Sequence, residues 1–467
     1  LVWLSNIILF IWLLSRIQDD FIFVLIGGLA YVLFSADTNQ AFLFNAFGLQ
    51  TALTFLLLAL HIYLSKSNWR WFAYLFLLFV LLNYETPYWL FLAAPLFTLK
   101  NQKYLIKRLV ENTLVTSVLF LGIIGLRLLA GEARTSALGF TEMILTPLKH
   151  MLIGPFVGLG SYFLRPLQVL GQLTPALGLL TFTISLVIFG IIYCVTKREQ
   201  RNISSGLSIK PKVWSNLTPV VQRELRLALA GLLMLVFAYP LTILLRPYAI
   251  SGRETRAHMA AVVGAAILLT SLIMLVMRLI KSVKIRVIWV VLVSLIFGLN
   301  FIFGFTIQEE HRRAWALQKN FWQALLPLIP DVEDGTVVLI EPSGLEDALF
   351  IDANTWNLPR VLRQMFVFPG NWEREPVVVR MVGNWQNYIM KHMGYYTIDD
   401  DNSIAPSSVY GYYPAEKAIF ISTSGGTLER REAPLPLWEM IPLKPVGTDV
   451  LSTLATRPLY NLLILDD

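Results

Sequence analysis

Three short polar clusters carry the residue types that could do chemistry on an anionic substrate. The first is Asp37-Thr38-Asn39-Gln40, which opens an apolar stretch. The second is Tyr84-Glu85-Thr86-Pro87, a lone carboxylate wedged between two apolar runs. The third is the stretch 246–258, RPYAISGRETRAH, with three Arg, one Glu, one Tyr and one His in 13 residues. Guanidinium groups bind phosphate bidentately. A positioned carboxylate can take the proton of an attacking hydroxyl. Cations near a leaving phosphate stabilise the charge that develops there. Asp37 and Glu85 are thus the candidate catalytic carboxylates, and Arg246, Arg253, Arg256 and His258 the candidate phosphate ligands. Each cluster also has a plainer reading. Asp37 or Thr38 serves as a helix N-cap, Glu85 pairs with a neighbouring cation, and the arginines form a solvated ion-pair set around Glu254.

Other chemistries find little support. The five histidines include no i, i+4 pair, and the single cysteine, Cys194, rules out a Cys-rich zinc site and a disulfide framework. No cofactor motif is present, and a divalent cation held by carboxylates has no ligand spacing to point to it. There is no Walker sequence, no strand-bound G-x-G-x-x-G and no G-x-S-x-G. The run STSGGT at 422–427 reads as a hairpin turn.

The elements that must position these clusters are membrane-like. The chain has 467 residues, 56% hydrophobic and only 15% charged, with a mean hydropathy of +0.61. Soluble domains carry nearer ~25% charged residues. Apolar segments fall at 1–15, 21–36, 41–64, 71–83, 88–99, 113–130, 176–195, 227–245, 259–279 and 287–305, about ten spans. A weaker stretch, 153–171, contains Arg165 and Pro166 and reads as interfacial or re-entrant. The runs 71–83 and 88–99 are each too short to cross a hydrocarbon core of about 30 Å as ideal helix. Pro87 breaks a helix between them, and Glu85 is costly at the bilayer centre. A short hairpin with Glu85 at its tip competes with a single kinked span.

Arg and Lys decide between the two. One set of loops carries 17 cations, from Arg16 through Lys281, Lys284 and Arg286, and the opposite set carries six, including Arg165, Arg246, Arg253 and Arg256. Basic loops mark the cytoplasmic side. The asymmetry is consistent only if 71–99 crosses as two segments. That choice puts Asp37, Glu85 and the 246–258 stretch outside. The net charge of +7 lies in these short loops, so it points to membrane lipids and not to nucleic acid.

From about Thr306 the composition changes, giving two expected domains, 1–305 in the membrane and 306–467 outside it. Residues 308–328 read as an amphipathic helix. Strands are expected at 336–340, 376–381, 418–422 and 462–465, with short helices at 358–366 and 384–393. The expected fold class is a polytopic α-helical membrane domain followed by a mixed α/β soluble domain outside the membrane.

The order of these features resembles GT-C-type membrane glycosyltransferases, such as the protein O-mannosyltransferases and the aminoarabinose transferases. There an outside Asp opens a long helix, a short basic loop follows, and two short apolar helices flank a T-K-G-P-like knot. Asp37-Thr-Asn-Gln, 41–64, 65–70, 71–83, the knot at Glu85-Thr86-Pro87 and the Pro95-containing run follow that layout, although only Thr and Pro of the knot are kept. The resemblance covers about residues 1–100. It implies transfer of a sugar from a polyprenyl-phosphate donor to an acceptor of unspecified class on the outer face of a bacterial cell membrane. It also implies that the family's catalytic Asp falls in a loop before Leu1, the chain opening inside an apolar run. The main alternative is a non-enzymatic polytopic protein, a transporter, flippase or envelope-assembly scaffold.

Overall fold

The computed structural model describes residues 1–38, 43–65, 68–98, 104–130, 140–204, 219–243, 246–340, 358–380, 417–422, 427–432 and 444–465. They divide into two units, Leu1–Gln308 and Glu309–Asp467.

The first unit is helical. Its elements are α1 (Val2–Ile17), α2 (Phe21–Val32), α3 (Leu43–Tyr63), α4 (Phe72–Asn83), a 3₁₀ segment (Tyr88–Phe97), α5 (Leu105–Leu129), α6 (Phe140–Leu170), α7 (Pro175–Ser204), α8 (Pro219–Phe237), α9 (Ala261–Leu279) and, as far as Gln308, α10 (Val283–Leu325). Four stretches are long and apolar enough to cross a membrane: Leu105–Leu129, Pro175–Lys197, Ala261–Leu279 and Val283–Leu328. Val2–Ile17, Phe21–Val32, Gly48–Tyr63, Trp69–Asn83 and Tyr88–Phe97 are apolar but shorter.

The chain reverses at 84–87. The rings of Tyr74 and Phe91 lie 5.8 Å apart, centre to centre. One continuous helix would hold residues 17 positions apart roughly 25 Å from each other. Asn112 fastens the reversal: its amide donates to Phe91 O at 3.0 Å and its oxygen accepts from Tyr74 at 3.0 Å. Tyr88 donates to Thr116 O at 2.6 Å, tying the same limb to α5. The return limb is 3₁₀ and not α, which adds reach. At about 2.0 Å per residue its ten residues cover roughly 20 Å.

The centre of the unit is α9, most of whose residues are buried. It crosses α8 at two glycines. A Cβ on Gly264 would stand 2.3 Å from Leu235 N, and one on Gly231 would stand 2.5 Å from Leu268 N. Only hydrogen at both positions lets the backbones approach this closely, as in many membrane helix pairs. At the end of the unit where α1 stops, Glu224 is fully buried and accepts from Gln18 at 2.9 Å and from Arg278 at 3.3 Å. Arg278 also reaches Asp20 at 2.7 Å. Asp20 caps α2 by accepting from Ile22 N and Phe23 N.

The sequence understated α6. An interfacial stretch at 153–171 is expected, yet one helix runs from Phe140 to Leu170 through Pro147, Pro155 and Pro166. Over roughly 22 Å of its length it touches only one end of the other helices. His150 meets Thr242, Tyr162 donates to Ala30 O and accepts from Asn300 at 3.0 Å, and Arg165 reaches Ser35 O. It therefore lies across the bundle end and not through it.

The second unit holds a four-stranded sheet in the order β3-β1-β4-β5, with β1 Val337–Ile340, β3 Val377–Arg380, β4 Ala418–Ser422 and β5 Glu429–Arg431. β1 runs parallel to both β3 and β4, and helix α11 (Leu358–Met365) lies in sequence between β1 and β3. β4 and β5 pair antiparallel, Ser422 opposite Glu429; the expected turn at STSGGT falls largely outside the described residues. β2 (Phe366–Val367) pairs with β6 (Ala455–Thr456). The expected strand at 462–465 is instead a helical turn, Asn461–Leu465, following Pro458–Tyr460, with Leu463 alone buried. The expected helix at 384–393 lies outside the described residues. Asp331 anchors the unit. Its carboxylate accepts from Arg430 at 2.5 and 3.0 Å and from Gly447 N at 3.0 Å.

Candidate functional site

The three clusters singled out in the sequence meet at the bundle end crossed by α6. The stretch 246–258 links α8 to α9 there. It turns at Gly252, whose φ of 70° suits a residue without a Cβ. The 3₁₀ turn Arg253–His258 follows, closed by Thr255 donating to Gly252 O at 2.8 Å.

Asp37 sits directly against this turn. Asp37, Thr38 and Thr255 are all buried. Thr255 Oγ1 lies 3.5 Å from Asp37 Oδ1 and 3.0 Å from Thr38 Oγ1, and Thr38 N–H donates to it at 3.2 Å. The carboxylate thus joins the C-terminal end of α2 to the arginine-bearing turn. The Glu85 tip joins through Tyr84, which packs against Leu49 and Met259. Glu85 pairs with Arg127 at 3.5 Å, and Arg127 also donates to Leu81 O at 2.7 Å.

The cations divide by role. Arg246 is exposed, and its backbone N–H donates to Glu254 at 3.4 Å. Arg256 is half-buried, with no hydrogen-bond partner for its Nε among the described residues. The side chain of Arg253 lies outside the described set. His258 is fully buried with both ring nitrogens engaged. Its Nε2 faces a carbonyl, Ala249 O at 3.0 Å, and so must carry the proton. Its Nδ1 therefore accepts from the Tyr239 hydroxyl at 2.9 Å. Burial pushes its pKa down to about 4 against the Ala249 hydrogen bond, with the Arg165 charge adding to the fall. In this geometry His258 is a neutral pin that fixes the loop on Tyr239. Tyr239 in turn fills the groove left by Gly154 and Gly158, where a Cβ would stand 2.3 Å and 2.6 Å from it.

Arg165 stands out in the sequence only as an outside cation of the 153–171 stretch and not as a site residue. Only 1% exposed, it donates to Ser35 O at 3.4 Å, to Gln168 at 2.8 Å and to Ile250 O. Its guanidinium also stands 4.9 Å from the centre of the Phe303 ring. It closes one side of a cleft of about 260 Å³ lined otherwise by Ala36, Phe156, Val157, Gly160, Leu164 and Ile250 among others. The signal was a single Arg in an apolar stretch on the cation-poor side. Among the described residues, no three His, Cys, Asp or Glu converge as a metal site would require.

The arrangement is an apolar cleft ending in a buried guanidinium, beside a buried carboxylate and an arginine-rich turn. That suits an amphiphile with an apolar tail and an anionic head. Compared with known protein families, with curated proteins and with solved structures, the chain matches none.

Proposed function

We propose that this chain is a membrane glycosyltransferase that takes a sugar from a polyprenyl-phosphate donor and passes it to an acceptor at the outer membrane face. The observation that carries the reading is the apolar cleft, walled in part by the buried Arg165, beside the arginine-rich turn. An isoprenoid tail fits the lining of Phe156, Val157 and Leu164, while Arg165, engaged with Ser35, Gln168 and Ile250, fixes the cleft wall and leaves the phosphate to the cations of the neighbouring turn. Arg246, Arg253 and Arg256 supply further cations as the phosphate leaves. His258 positions that turn. Asp37 is the buried carboxylate that meets the turn through Thr255, and Glu85 serves the acceptor side. Ten crossings, with the loop end outside a bacterial cell membrane, are part of the same proposal and follow from the distribution of Arg and Lys.

Gly160→Leu tests it. A Cβ at Gly160 meets nothing within 4 Å, so a leucine fills the cleft without disturbing the fold. The full chain in lipid nanodiscs is expected to retain polyprenyl phosphate and to transfer a labelled sugar from its glycosylated form. Gly160→Leu is expected to lose both and keep its thermal stability. Equal retention by the two proteins would overturn the reading.

A further inference from the structure

A second pocket lies at the opposite, basic end of the first unit, between α7 and α10. These antiparallel helices touch at Gly298, where a Cβ would stand 2.1 Å from Ser185 Oγ and 3.2 Å from Thr181 O. Eight residues further along each helix, toward the basic end, they part. The gap is a pocket of about 170 Å³, walled by Tyr193, Thr196 and Lys197 of α7 and by Val283, Arg286, Val287 and Val290 of α10. Two cations and no carboxylate line it. Lys197 Nζ stands 5.9 Å from the centre of the Tyr193 ring. Arg286 donates through Nη2 to Ile280 O at 2.8 Å, while its Nε is buried and has no hydrogen-bond partner among the described residues. A buried charged donor left unmatched is costly, and an anion would satisfy it.

The rest of the surroundings is apolar. Both helices are long and apolar enough to span a bilayer, and only 17% of the α7 window is buried within the protein. From the pocket toward the Gly298 crossing they expose Leu186, Ile191, Val291 and Leu295. A phosphate with acyl chains attached matches both parts of this surface. A free phosphate would leave the valine wall and the exposed apolar faces unused.

We propose that this pocket seats the phosphodiester headgroup of an anionic membrane lipid, its acyl chains lying along α7 and α10. The lipid fills the gap between the two helices and neutralises Lys197 and Arg286. The inference needs α7 and α10 to lie in a bilayer. It does not depend on the glycosyl-transfer reading, because the two pockets lie at opposite ends of the unit.

Native mass spectrometry of the full chain tests it, with phosphatidylglycerol, phosphatidylcholine or inorganic phosphate added to the detergent-purified protein. The wild type is expected to retain one phosphatidylglycerol in preference to phosphatidylcholine. Two cations near a headgroup together give roughly a thirtyfold preference, and the double variant Lys197→Gln/Arg286→Gln is expected to lose it. Val287→Phe, which fills the pocket and keeps both charges, is expected to lose it as well. Equal retention by wild type and Val287→Phe would overturn the proposal. So would inorganic phosphate displacing the lipid completely, since the site would then bind a free anion.

Discussion

If His258 is a neutral pin, acid should loosen the protein through it. The perturbation is a fall in pH, compared between the wild type and His258→Gln. The imidazole lies between Tyr239 and Ala249 with Arg165 as the nearby charge, and its pKa falls from 6.5 to about 4. The folded state therefore resists protonation that the unfolded chain accepts near pH 6.5. Stability from this group is full above about pH 6.5 and is lost as pH falls toward about 4. At about 1.4 kcal/mol per unit the whole loss is about 3 kcal/mol, of which about 2 kcal/mol has gone by about pH 5. His258→Gln can still donate to Ala249 O and has nothing to titrate. Unfolding of the purified full chain in detergent, titrated with SDS and followed by tryptophan fluorescence, measures both proteins across this range. Carboxylates contribute equally to each, so the difference isolates His258. The wild type should lose about 2 kcal/mol more than the variant between about pH 7.5 and 5. Parallel pH profiles would refute the pin and return His258 to the list of charged phosphate ligands.

Other outcomes follow from the packing and the ion pairs. Gly264→Val forces α8 and α9 apart, since even a Cβ there would stand 2.3 Å from Leu235 N, and the same SDS titration should show a loss of about 3 kcal/mol or more. A loss under about 1 kcal/mol would mean that the helices do not cross there. Glu85→Gln removes a pair whose side chains are 22% and 31% exposed, so stability should fall by less than about 1 kcal/mol; a larger loss would make the pair a buried clamp. Asp331→Asn breaks a buried bidentate pair with Arg430, both side chains under a tenth exposed, and should cost about 3–5 kcal/mol. Burial raises the Asp331 pKa, but hydrogen bonds from Arg430 and Gly447 outweigh it and hold the carboxyl below its usual value. Its contribution is therefore present at neutral pH and lost in acid. Limited proteolysis of the full chain at neutral pH should cut the second unit faster in Asp331→Asn than in the wild type.

Much of the helical unit was legible because apolar runs and their breakers are local features. Pro87 and Glu85 between two short runs announce a reversal, and Tyr74 and Phe91 meet as that reversal requires. The strands at β1, β3 and β4 announce themselves by β-branched runs. α6 was hidden because three prolines and an arginine argue locally against a long helix, while its support comes from Tyr239, Asn300 and Ser35, all distant in sequence. The site was half legible. Asp37 and the arginine-rich turn stand out by composition, but that Thr255 bridges them is a contact 218 residues apart. His258 was legible as a polar residue in a cationic stretch, and its neutrality depends on burial that no spacing reveals. Residues 462–465 read as a strand because three leucines and an isoleucine crowd there, yet Pro458 starts a helical turn.

The crosswise course of α6 has a consequence for how anything reaches the cleft beside Arg165. Phe156 and Leu164 line it and are exposed, so the cleft opens to the surroundings of the bundle. On the proposed reading, a ligand dissolved in the bilayer would arrive there by sideways diffusion in two dimensions without entering water. Its occupancy is then set by its mole fraction among the lipids and not by its amount per volume of buffer. Adding inert lipid at fixed protein would empty the cleft, and adding buffer would leave it filled.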